Sequence, residues 1–228
     1  MIHFVLLDLD DTILDFHRAE AAAIRKTFFE LGIAATDEKV KRYSEINAAH
    51  WRMLERGEIT RQVVLTGRFR QLFSEIGANF DPVQTQQIYE AHLSRGHYFI
   101  PGAEALLEKL SGKYQLYLVS NGNAVVQEGR LKSSGIAHYF AGIFISELIG
   151  ADKPSKEYFD RCFAQIPAFD PDQAILVGDS LTSDILGGIH ACVKTCWFNP
   201  HHRDAHSDIQ PDYVIEHLAQ LPALLERL

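Results

Sequence analysis

Cysteine is scarce in this chain of 228 residues: only Cys162, Cys192 and Cys196 occur. Three thiols cannot all pair, and their spacing fits no zinc site, which excludes a disulfide framework and a cysteine-based zinc centre. Positive charge is also short. Lys and Arg number 22 against 30 Asp and Glu, a net charge of −8, which argues against nucleic-acid polymers or anionic membranes held through bulk charge. An anionic substrate must then be held locally, by a metal, one lysine or a helix N-terminus. No apolar run approaches the roughly 18–20 residues of a membrane span. The opening MIHFVLLDLDD reaches acidic residues too early for a signal peptide. Repeats and low-complexity segments are absent. These absences predict a reduced, cytoplasmic protein, monomer or dimer, with no membrane association.

What is present is ordinary globular composition, 46% apolar and 23% charged. At roughly 150 residues per domain the length allows one large domain, or a main domain carrying a smaller one. Residues 2–7 are an apolar run bounded by polar residues, the pattern of a buried strand. From residue 16 to 96 the pattern becomes helical. Ala21, Ile24, Phe28 and Leu31 recur at helical spacing before Gly32, and further helices are predicted at 38–56, 60–76 and 82–95. After Pro101-Gly102, short apolar runs at 114–119, 143–146, 174–177, 195–198 and 213–215 alternate with helical stretches, the last from His217. Alternation of this kind predicts an α/β fold, a Rossmann-like, doubly wound parallel sheet covered on both faces. The helical block interrupts it as an inserted second domain, giving a core of 1–15 and 97–228 and an all-helical cap of 16–96.

The polar constellations follow the strands or open the next helix. In an open parallel sheet, ligands bind outside the carboxyl ends of the strands, so Asp8 and Asp10, Ser120 and Asn121, and Asp179 should converge, and Lys153 at a helix start can join them. Asp8 and Asp10 lie two apart, on one face if the strand continues. Close carboxylates repel unless a cation or a proton separates them. With Asp179 they form a set of hard oxygen ligands suited to Mg²⁺. Lys153 supplies a point positive charge. Ser120, Asn121 and the amides after Gly122 lead into a helix, a place for an anion. The ensemble describes phosphoryl transfer onto a carboxylate.

Each motif alone has an ordinary reading. DxDxT and Ser120-Asn121-Gly122 occur as turns and caps, and Lys153-Pro154 as a solvated helix start. Their order at successive strand ends carries the joint reading. Cys192 and Cys196, with His190 nearby, read as structural cysteines rather than ligands. His201, His202 and His206 read as solvated loop residues that can fringe the site. Trp51 reads first as core, and Asn47 and His50 are weak ligands.

DLDDT (8–12), SNG (120–122), KP (153–154) and GDSLTSD (178–184) resemble the haloacid dehalogenase-like hydrolase superfamily over essentially the whole chain. The helical insert is similar to its four-helix cap. LDLDDTILDFHRAE (7–20), WRMLERGEITRQ (51–62), SNGNAVVQEGRLKSSGIAHYF (120–140) and GDSLTSDILGG with CWFNP (178–188, 196–200) resemble its pyrimidine 5'-nucleotidases more narrowly. The resemblance implies Asp8 as nucleophile and Asp10 as general acid and base, its carbonyl also on Mg²⁺. Ser120, Asn121 and Gly122 would bind phosphate. Lys153 would neutralise the phosphoryl group and Asp8. Asp8, Asp10 and Asp179 would hold the metal, with Asp184 behind them and Mn²⁺ able to replace Mg²⁺. Phe16, His17, Asn47 and Trp51 are candidates for contacting the leaving group.

The expected activity is Mg²⁺-dependent hydrolysis of a small phosphorylated metabolite, a pyrimidine nucleoside monophosphate (UMP, dUMP or dTMP), through an aspartyl phosphate. A sugar-phosphate phosphatase or phosphomutase shares every core motif and is the alternative. A phospho-aspartate signalling module lacks an 80-residue helical insert and an acid two residues after the nucleophile. Haloacid dehalogenation needs no metal, which would leave Asp10 and Asp179 without a role.

Overall fold

The computed structural model describes residues 1–204 and 208–228. Phe4–Leu7 buries all four side chains. That is possible only for a strand in the middle of a sheet covered on both faces. This strand, β1, is one of six among the described residues, with β2 (Gln115–Ser120), β3 (Gly142–Ile145), β4 (Ala174–Gly178), β5 (Lys194–Phe198) and β6 (Tyr213–Ile215). All pairs are parallel, in the order β3-β2-β1-β4-β5-β6. Alternating side chains face opposite layers. Val5 and Leu7 join Leu118, Val177 and Phe198 on one side, while Phe4 and Leu6 join Val119 and Leu176 on the other. The sheet is therefore doubly wound, as expected.

A block of four helices follows β1: α1 (Phe16–Glu30), α2 (Asp37–Glu55), α3 (Arg61–Ile76) and α4 (Pro82–Leu93). Their boundaries are chemically marked. Asp15, Thr36 and Asp81 accept amide hydrogen bonds as N-caps, Pro82 opens α4, and Gly77 ends α3 in the left-handed conformation. These helices carry their own core, centred on Ile24, Phe28, Tyr43, Phe69 and Tyr89. The two linkers to the sheet run side by side, with Asp15 N–H donating to Tyr98 O at 2.7 Å and Ile100 N–H to Ile13 O at 3.0 Å. The remaining helices are α5 (Ala103–Ser111), α6 (Ala124–Ser134), α7 (Ser146–Ile149), α8 (Lys156–Phe163), α9 (Leu186–His190) and α10 (Leu221–Leu225). Among the described residues no helix is long and apolar enough to cross a membrane.

Three local expectations differ from the structure. The helical stretch expected between the runs at 174–177 and 195–198 opens instead with a wide π turn, Leu181–Ile185, in which the Ser180 side chain accepts the Ser183 amide and the Ser180 carbonyl those of Asp184 and Ile185. The closing helix is a short 3-10 turn, Leu218–Gln220, followed by α10, because Pro222 tolerates only the first turn of a helix. Cys162 and Cys196 are buried, but Cys192 is exposed, at φ 56 in the turn after α9, and packs into no core. His201 and His202 are exposed, and His206 lies outside the described residues.

Candidate active site

The sheet order reverses at β1: the chain runs outward through β2 and β3, then returns to β4 on β1's other side. Strand ends diverge at such a point and open a crevice. Asp8 follows β1, Ser120 ends β2, Asp179 follows β4, and Lys153 precedes α8, so residues up to 171 positions apart meet.

Lys153 is buried, and its ammonium is saturated. Nζ donates to Asp8 Oδ1 and Asp184 Oδ1, both at 2.7 Å, and to Val119 O at 2.9 Å. Burial works to discharge this lysine, but Asp184 and Asp8 outweigh it and hold its pKa above the ordinary value. Burial pushes Asp8 well above the usual carboxylate range, against the pull of Lys153 and with help from Asp184 and Asp10. Asp179 is pushed up to about 7, by burial first and then by Asp184 and Asp11. Three carboxylates crowd this floor: Asp8, Asp179 and Asp184 each offer an oxygen within 4.8 Å of the others. The close approach of Asp184 needs a glycine at 178, since a Cβ there would lie 2.2 Å from Asp184 Oδ2.

The chain leaves the sheet after Leu7, and the carboxylate of Asp10 turns away from that trio. Its Oδ1 pairs with Arg130, and its Oδ2 accepts from Gln127 Nε2 at 2.6 Å. Gln127 also donates to Ser120 Oγ at 2.9 Å, and the Gly122 amide does so at 3.2 Å. With two donors already on its oxygen, the Ser120 hydroxyl keeps its own hydrogen for a ligand. Asn121 embraces the backbone of Lys153: its Nδ2 donates to Lys153 O and its Oδ1 accepts from Lys153 N–H, both at 2.8 Å. It ties two loops together rather than offering its side chain. The helix start after Gly122 is also partly taken, for Glu147 accepts the Ala124 amide at 2.7 Å and Asn123 the Val126 amide. Of the amides expected to face an anion, those two are already satisfied.

A cavity of about 240 Å³ runs from Asp8, Asp10 and Lys153 into the helical insert. Phe16, Trp51, Leu65 and Leu93 supply apolar wall, and Arg68, Tyr89 and Glu90 are polar members of its lining. Of the four leaving-group candidates, Phe16 and Trp51 line it. His17 and Asn47 belong to a neighbouring cleft. Exposed His17 lies 3.4 Å from Asp11. Asn47 is engaged at both ends, by Glu20 at 2.6 Å and Arg68 at 2.5 Å.

Several participants lay outside the sequence reading. Gln127 and Arg130 stand three apart on one face of α6 and hold Asp10. Arg61, opening α3, donates to Asn121 O and Gly122 O, both at 3.2 Å, and to Ser146 Oγ at 2.6 Å, and pairs with Asp152. Glu55 accepts from Thr182 at 2.9 Å across the cleft. Arg203 reaches Asp179 Oδ2 at 3.1 Å, so the loop after β5 does fringe the site, through arginine rather than histidine. Nothing local in the sequence distinguishes these arginines from solvated ones.

A family model for haloacid dehalogenase-like hydrolases matches residues 5–198. Pyrimidine 5'-nucleotidase PynA of Streptococcus pneumoniae is 38% identical over 93% of this chain and 90% of its own length. Pyrimidine 5'-nucleotidase YjjG of Escherichia coli is 30% identical over 97% of both chains. Among solved structures, Bacillus subtilis YfnB bound to magnesium, in which interdomain movement is described, superposes with a TM-score of 0.94 at 41% identity over 98% of each chain.

Proposed function

The chain belongs to the haloacid dehalogenase-like hydrolases, and from that premise we propose that it hydrolyses pyrimidine nucleoside 5'-monophosphates through a phosphorylated Asp8. The observation that carries this reading is a buried Asp8–Lys153–Asp184 chain, with Asp179 beside it, on the floor of a cavity whose walls are largely apolar. A buried carboxylate is a nucleophile only while ionised, and the ammonium at 2.7 Å opposes the protonation that burial favours.

In the first step an Asp8 oxygen attacks phosphorus in line, the P–O ester bond breaks, and Asp10 delivers a proton to the departing ribose oxygen. In the second, water attacks the same phosphorus, its proton passes to Asp10, and inorganic phosphate leaves with Asp8 restored. Proton transfer of this kind is worth about 10²–10⁴ in rate. Arg130 and Gln127 hold Asp10 in place, and Ser120 donates its remaining hydrogen to a phosphoryl oxygen. Asp184 stands behind Lys153, anchored by the Ser180 amide at 3.1 Å. Hard carboxylate oxygens within 4.8 Å of each other fit Mg²⁺. Asp8 and Asp179, with the Asp10 carbonyl, would hold it, and Mn²⁺ should replace it. When bound, such an ion neutralises charge on the phosphoryl oxygens. Residues 16–96 act as the cap over a core of 1–15 and 97–228. The names of PynA and YjjG support the nucleotide as substrate.

The test is phosphate release from a panel of phosphomonoesters. UMP, dUMP or dTMP should turn over well above AMP or GMP in Mg²⁺, and EDTA should abolish the activity. Asp8→Asn should fold normally and lose essentially all turnover, because an amide cannot form the acyl phosphate. Hexose phosphates better than every pyrimidine nucleotide by about tenfold would replace the nucleotidase with a sugar-phosphate phosphatase. Near-normal turnover by Asp8→Asn would remove the covalent route.

A further inference from the structure

Arg68 is 3% exposed, yet its guanidinium meets no carboxylate within ion-pairing distance among the described residues. Its terminal nitrogens donate to two neutral amides, Asn47 Oδ1 at 2.5 Å and Gln86 Oε1 at 2.7 Å. Its Nε–H is buried and has no partner among the described residues. A buried cation with an open donor is costly to the fold. The arrangement is nonetheless tightly built. Glu20 holds Asn47 at 2.6 Å, and Gln86 passes the chain on to Glu90 Oε1 at 2.6 Å. The rings of Tyr43, Phe69 and Tyr89 surround the guanidinium at 5.0 to 5.9 Å. Arg68 and Glu90 line the same cavity as Asp8, and the flat surfaces of Phe16 and Trp51 line it too. A donor and an acceptor are thus fixed relative to each other by one glutamine, beside the apolar wall of Phe16, Trp51, Leu65 and Leu93, an arrangement that suits orienting a ring.

We propose that Arg68 and Glu90 read the edge of the nucleobase, Arg68 Nε–H donating to a ring carbonyl and Glu90 accepting from the adjacent ring N–H. The ligand class is a heterocycle with a lactam edge, as in uracil and thymine. This deepens the nucleotidase reading and rests on it. A slot built to pair an N–H rejects the analogue that lacks it, because its own acceptor is then left unpaired.

The experiment compares kcat/KM for UMP, 3-methyluridine monophosphate, a hexose phosphate and a small aryl phosphate across the wild-type protein, Arg68→Lys and Glu90→Gln, with thermal melting as the check on folding. Wild type should prefer UMP to the N-methylated analogue by at least about tenfold. Both variants should lower the ratio of UMP to aryl phosphate by about tenfold or more, chiefly through KM. Glu90→Gln, whose amide still accepts at one atom, keeps the fold testable should Arg68→Lys melt. If the hexose phosphate is better than UMP by about tenfold in wild type, the nucleotidase reading falls and the proposal with it. If UMP is preferred but the ratios stay at the wild-type value in Glu90→Gln, the edge-reading role alone is overturned.

Discussion

Asp179 is held at a pKa of about 7 by burial and by its acidic neighbours Asp184 and Asp11. The same carboxyl in an unfolded chain titrates near 3.8. Between those values the metal-free native protein keeps a proton that the unfolded chain has released. The stability tied to this group is therefore full below about 3.8 and is lost as the pH climbs towards 7. A divalent cation held by Asp179 would bind the ionised form and so reverse the loss. The metal-free protein should accordingly show a falling Tm from about pH 5 to about pH 8, and the increment given by Mg²⁺ should be larger at the higher pH. Calorimetry with and without chelator reads both trends. An increment that does not change with pH would remove Asp179 from the ligand set. Residues of this kind were legible because their chemistry is tied to strand ends: Asp8, Ser120 and Asp179 each terminate an apolar run. Arg68 and Arg130 were not. An arginine on a helix looks the same in sequence whether it faces water or another helix, and only packing shows that these two are buried.

At the scale of elements, α3 begins with a residue that belongs to both halves of the molecule. Arg61 grips the carbonyls of Asn121 and Gly122, the hydroxyl of Ser146 and the carboxylate of Asp152. One guanidinium thus fixes the loop after β2 and the residue before Lys153. Hydrogen bonds from a charged donor contribute about 1.5–3 kcal/mol each. Arg61→Met should lower kcat/KM for the preferred nucleotide by about 10–100-fold, measured in steady-state assays. Unchanged turnover would mean that the contact only fastens the surfaces together. Helix positions in the insert followed from apolar periodicity and from glycine and proline at the ends, which act within one turn. The π turn at Leu181–Ile185 did not, because it answers to a tertiary demand: Asp184 must reach both Lys153 and the Ser180 amide.

Across the whole molecule, the insert leaves and rejoins the sheet through paired linkers, and its core is centred on its own side chains. Joining Asp15 to His97 with a short turn in place of 16–96 should leave slow hydrolysis of an aryl phosphate while erasing preference among nucleotides. A kcat/KM panel on that variant decides it, and retained preference would assign selectivity to the sheet residues. The two tryptophans of the chain fall one on each side of the cleft. Trp51 lies in α2 with the Arg61 guanidinium 5.5 Å from its ring centroid, and Trp197 in β5 with its indole N–H on Asp179 O at 2.8 Å. Intrinsic fluorescence is therefore a native optical gauge: with Trp197→Phe the emission of Trp51 reports the insert's grip on the sheet, and with Trp51→Phe the emission of Trp197 reports events at the acidic floor.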